Sequence, residues 1–232
     1  MRGTFVLYDV KDLPAPGVHK TPAVPTRHAA ALADDLLFTR LVLTRKKAVG
    51  GFFYAQLVHR QVLRPEQQGD SHWFHGGHEL DEIVTEHRFI AYWHPERSLF
   101  VCHADRELAR SAITSLNRRL DGFALAPVRL DPQRVRQAHQ HGVLLGVWLR
   151  RPGQDLIRTQ AAFGADVENG PDFAQAVKKG ELSSIRLQTM FDRRRLRVNV
   201  SRSGSMFFSQ DAPLDTCLGF IIHLLAYRSG SN

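Results

Sequence analysis

SSIRLQTMFDRRRLRVNVSRSGSMFFSQDAPLDTCLGFIIHLLAYR, residues Ser183 to Arg228, reads as two alternating strands, a short third strand and a strongly apolar helix. Ile185, Leu187 and Thr189 share one face of the first strand, with Arg186, Gln188 and Met190 on the other. Beyond the turn Phe191-Asp192-Arg193-Arg194, the second strand sets Leu196, Val198 and Val200 against Arg195, Arg197, Asn199 and Ser201. A side-chain period of two with this segregation marks an antiparallel sheet with one dry and one wet face. The helix from about Ala212 to Tyr227 supplies the cover for the dry face. Gly204, in the turn between the second and third strands, suits a positive φ.

Working outward, the same layout recurs earlier in the chain. Glu86 to His103 predicts a hairpin turning at His94-Pro95-Glu96-Arg97, followed by a helix capped by Asp105 and running to about Leu120. Gly51 to Leu63 predicts a further strand, and Thr4 to Val10 a first one. His28 to Arg40 predicts a helix, and Arg45-Lys46-Lys47 a charged loop before Gly50-Gly51. In the second half, Asp131-Pro132 opens a short helix, Val143 to Leu149 and Leu156 to Phe163 read as strands, and Pro171 to Lys179 as a helix.

The expected fold class is therefore α+β, antiparallel sheet with helices packed on one side. Two pseudo-repeated halves are expected, residues 1–125 with a proline-rich arm at 12–27, and residues 126–232 with the basic hairpin and closing helix. This order of elements is compatible with a TATA-binding-like or paired ferredoxin-like layout. Such layouts host many unrelated functions.

Composition narrows the function classes. The chain of 232 residues is 43% hydrophobic, ample for a packed core, yet has no apolar run long enough for a membrane span. No signal-peptide pattern opens the sequence, so a cytoplasmic protein without a membrane partner is expected. Cys102 and Cys217 fit small buried hydrophobes better than a disulfide. Net charge is +8, and all but six of the 31 basic residues are arginine. Guanidinium binds phosphate bidentately, which points to a nucleic-acid partner, DNA or RNA. A GC-rich genome explains the arginine-to-lysine ratio but not the excess positive charge.

Arg186, Arg195 and Arg197 are expected to project together from the wet face, joined by Arg193, Arg194 and Arg202 from the flanking turns. Such a cluster repels itself unless an anion or acidic partner lies among its members. Phe191 and Phe207 are the candidate base-stacking aromatics. The leading reading is a non-enzymatic accessory subunit that contacts a phosphate backbone and needs no cofactor. Two alternatives remain. An acidic protein subunit would use the same arginines. A metal-dependent hydrolase or nuclease would centre on His72, His75 and His78, spaced three apart and followed by Glu79, Asp81 and Glu82. Imidazoles beside carboxylates suit a divalent metal, although Gly76-Gly77 predicts a loop there. No HExxH, HxxEH, GxSxG, Walker or GxGxxG pattern is present.

Overall fold

The computed structural model describes residues 1–13, 19–20, 24–25, 38–64, 73–75, 78–80, 83–119, 123–150, 159–164, 167–170, 173–175 and 182–229. It is an α+β chain dominated by antiparallel sheet. Two compact units divide it, one of Val10–Leu125 and one of Met1–Asp9 with Ala126–Asn232. No helix among the described residues is long and apolar enough to cross a membrane.

The first strand, β1 (Gly3–Asp12), begins in one unit and ends in the other. Within Val10–Leu125, the two-residue strands β2 (His19–Lys20) and β3 (Val24–Pro25) pair with β4 (Phe38–Lys47), which pairs with β5 (Phe53–Leu63). The short β6 (Trp73–His75) and β7 (His78–Leu80) form a separate ladder on either side of Gly76-Gly77. β8 (Ile83–His94) pairs with β5 from Ile83 to Trp93 and with β9 (Leu99–His103) through a 3₁₀ turn at Pro95–Arg97. Helix α1 (Arg106–Arg119) follows, and the Asp105 carboxylate accepts the Glu107 amide at 2.9 Å, as the sequence led one to expect.

Two expectations fail here. Phe38–Arg40 are extended, not the end of a helix, and residues 28–37 lie outside the described residues. Thr39, Leu41 and Leu43 are buried while Arg40, Val42 and Thr44 are half-exposed, so alternation toward a sheet core overrides the helical spacing upstream. Arg45-Lys46-Lys47 likewise is not a loop but closes β4, with Lys47 paired to Phe53 across a bulge.

The second unit takes up β1 to Asp9, and after β10 (Ala124–Pro127), which pairs with β1, it begins α2 (Pro132–Ala138). Asp131 caps that helix through the amides of Gln133 and Arg134. Then come β11 (Val143–Arg150), β12 (Thr159–Phe163), β13 (Leu182–Phe191), β14 (Arg194–Ser201), β15 (Ser205–Phe208) and helix α3 (Leu214–Leu224). The sheet order is β12-β11-β13-β14-β15-β1, every neighbouring pair antiparallel. Of the helix expected over Pro171 to Lys179, residues 173–175 are described and helical.

Alternation sorts this sheet as its sequence requires. Ile185, Leu187, Leu196, Val198, Val200, Met206 and Phe208 are all buried on one face. Phe220, Ile221 and Leu224 of α3 are buried with them, and Phe220 meets Phe191 edge-on at 5.2 Å and Phe208 at 6.2 Å. Truncating one such ring to alanine costs about 3–5 kcal/mol. Cys217 is buried in the same helix and Cys102 in β9, both free thiols. Burial pushes the Cys217 thiol up to about 11 and raises that of Cys102 further.

Candidate nucleic-acid interface

Register places the wet face of the second unit row by row. Gln188 stands opposite Arg197, Met190 opposite Arg195, and Arg186 opposite Asn199. Arg197 donates from Nε to Gln188 Oε1 at 2.7 Å, which holds its guanidinium along the sheet surface. Continuing outward, Asn199 faces Phe207 on β15, while Arg186 faces Gly146 on β11. Gly146 in turn faces Phe163 on β12, and Arg150 faces Thr159. The sheet thus brings Arg186, Arg195 and Arg197 to one surface and adds Arg150, which sequence reading did not select.

The other three candidates sit differently. Arg194 pairs with Phe191, so it alternates to the helix-covered side, where it stays exposed at the rim. Arg193 occupies the hairpin tip with φ of +60°, after Asp192 at +47°, the two central positions of a primed turn. Arg202 lies in the next turn, its backbone tied to Ser183 and Leu130. Gly204 there has φ of +74°, and an added Cβ would run into the Val128 carbonyl oxygen.

The described positions of this face, on β11 through β15, carry no aspartate or glutamate. Among the described residues, Arg150, Arg186, Arg195 and Arg197 make no ion pair. The wet face of the other unit is arranged otherwise. There Glu86 accepts from Arg60 and Arg88, each at 2.6 Å, and Arg88 first and then Arg60 holds its carboxyl below the usual range. Arg40 and Arg60 also stack on Phe38 at 5.1 and 4.7 Å. Those cations are already engaged.

Phe191 does not reach the wet face, because its ring lies against Phe220 and His223. Phe207 does, 37% exposed. Two aromatics missed in the sequence join it. Phe163 is 61% exposed and lies over Gly146, where an added Cβ would come within 2.6 Å of its ring. It meets Trp148 edge-on at 5.2 Å. The signal for both was Gly146 inside an apolar strand, which marks a close approach.

Of the histidine cluster, His72 lies outside the described residues, while His75 and His78 oppose one another across the β6–β7 ladder. Among the described residues no three histidine, cysteine, aspartate or glutamate side chains gather as metal ligands. Among the described residues three other histidines are buried, His59, His94 and His139. His59, fully buried, lies between Thr39 Oγ1 at 2.7 Å and Ser111 Oγ at 3.1 Å. Burial first, and then the neighbouring His87, lowers its pKa to about 4. His139 bonds Thr189 Oγ1 at 3.2 Å and is lowered by burial, then by His223 and Arg136.

What the wet face of the second unit can do chemically is hold a chain of anions: three strands supply guanidiniums at one surface, with aromatic rings at two of its margins. No protein-family model matches the sequence, and no curated protein matches it either.

Proposed function

We propose that the protein binds nucleic acid through the wet face of β11–β15, contacting the phosphate backbone with Arg186, Arg195 and Arg197, with Arg193 and Arg202 in the adjoining turns and Arg194 left out on the helix-covered side. The observation that carries this reading is a multi-strand arginine face with no carboxylate at its described positions. A net charge of +8 supports it by drawing a polyanion from a distance. The expected pseudo-repeated layout belongs to the same proposal: in each half a hairpin leads into a closing helix on the dry side, leaving the opposite face for a ligand. The role is that of a binding subunit, with phosphate contact supplying affinity and not sequence reading.

The test is fluorescence anisotropy with mixed-sequence oligonucleotides across a salt series. Arg195→Gln/Arg197→Gln should weaken binding and flatten the log–log salt slope by roughly 1.4 for a single strand or 1.8 for a duplex, two lost phosphate contacts. Unchanged affinity and slope would remove this face as the contact. An acidic protein partner that co-purifies after nuclease treatment would replace nucleic acid as its ligand.

A further inference from the structure

We infer that the ligand of this face is a single strand, DNA or RNA, whose bases stack on Phe163 and Phe207 while its phosphates meet the arginines between them. The inference rests on the nucleic-acid reading above and adds strandedness to it. Phe163 and Phe207 occupy one cross-strand row, Phe163–Gly146–Arg186–Asn199–Phe207, that runs over five adjacent strands. At the usual strand spacing their backbones stand roughly 19 Å apart, room for several nucleotides.

Three features of the row argue for stacking. Phe207 is 37% exposed while its neighbour Phe208 fills the core, so the outer ring is not needed for packing. Glycine at 146 leaves the space into which the Phe163 ring packs, so the ring sits close against the strand. Trp148 supports Phe163 edge-on and fixes it without covering its outer side, since Phe163 stays 61% exposed. A duplex hides the flat faces of its bases in its own stack, so rings on an open sheet gain nothing from it beyond backbone contact. A single strand offers those faces, and each base stacked on an aromatic side chain adds substantially to affinity without demanding a sequence. The guanidinium of Arg186, midway along the row, is placed for the phosphates that link the stacked bases.

The experiment compares oligo(dU), oligo(U) and a duplex of equal length, each about 15 nucleotides per strand to cover one site of this kind, on the full chain by anisotropy. A single strand should bind more tightly than the duplex, and the better of the two single strands identifies the sugar. Phe163→Ala and Phe207→Ala should each weaken single-strand binding at least about fivefold, leaving the duplex affinity and the salt slope unchanged. Because both rings are exposed, neither truncation removes core packing. Phe207→Leu keeps apolar surface without a ring and should behave like the alanine variant. Single strand should also quench Trp148 fluorescence, a signal absent from Trp148→Phe. Equal affinity for duplex, or phenylalanine variants without effect while Arg195→Gln/Arg197→Gln still flattens the slope, overturns the single-strand inference and leaves phosphate binding standing. Binding of none of the three polymers overturns both.

Discussion

Lowering the pH should destabilise the Val10–Leu125 unit through His59. The imidazole is fully buried between Thr39 and Ser111, and its pKa falls from 6.5 to about 4 in the folded state. A depressed folded-state pKa means the unfolded chain takes up the proton first. The stabilisation is therefore complete above about pH 6.5, falls as pH drops, and is gone near pH 4. A separation of about 2.5 units corresponds to roughly 3 kcal/mol, with a slope approaching 1.4 kcal/mol per pH unit between the two values. Against a typical domain stability of about 5–15 kcal/mol, that is a large share. Urea unfolding of a Trp148→Phe background, followed through the two remaining tryptophans, Trp73 and Trp93, reports this unit at pH 7, 5.5 and 4. His59→Gln keeps partners for both hydroxyls without a titrating group. Its stability should fall less steeply with acid, by up to one proton's worth of slope, the remaining dependence coming from other histidines such as His94, whose pKa burial also lowers. Parallel pH profiles for the two proteins would refute the assignment.

Three further outcomes follow from single residues. Arg136 donates to the carbonyls of His139, Gln140 and Gly142 and forms a two-pronged pair with Glu168, so Arg136→Ala should cost about 3 kcal/mol in urea unfolding with nucleic-acid affinity unchanged. Gly204→Ala should lose at least 1–2 kcal/mol, roughly the price of a left-handed backbone alone, with the Val128 carbonyl adding to it; an unchanged melting temperature would count against the turn geometry. Arg193→Gly relieves a left-handed arginine, so thermal unfolding should show stability unchanged or raised by about 1 kcal/mol while the hairpin tip loses a charge.

Legibility in the sequence followed the range of the physics involved. Strands β13 and β14 were readable because alternation runs unbroken from Ile185 to Met190 and from Leu196 to Ser201, and the burial of those positions agrees with it. The Asp105 and Asp131 caps were readable because a cap is decided within three residues. Strand β11 was recognised but not its faces: the register shifts between Leu144 and Gly146, and that bulge turns Trp148 to the wet side, where an unbroken period from Leu144 would have left it on the dry one. Phe191 was ambiguous for a related reason, since a turn residue's side is fixed by which partner reaches it, here Phe220. His59 alternated correctly onto the same face as Ala55 and Leu57, but its partners lie 20 and 52 residues away, and no local pattern encodes them.

Placement also separates a functional arginine from a compositional one. A biased genome can raise the number of arginines, but it has no means of choosing their neighbours. Arg136 is largely buried and saturated by carbonyls and Glu168, and Arg60 and Arg88 share Glu86. Arg186, Arg195 and Arg197 stand on two adjacent strands with no carboxylate on their face at the described positions. Two unit charges about 7 Å apart, the spacing of neighbours on one face of a strand, repel by roughly 0.6 kcal/mol even at the dielectric constant of water, so each such pair opposes folding by an amount comparable to a surface ion pair's gain. An anion threaded among them reverses the sign of that contribution. The free protein is thus less stable than a neutral face would make it, and a ligand that binds only the folded sheet recovers the difference in proportion to its saturation. Polyanion should therefore raise the unfolding midpoint of the Ala126–Asn232 unit more than that of Val10–Leu125, where Arg60 and Arg88 already share the Glu86 carboxylate.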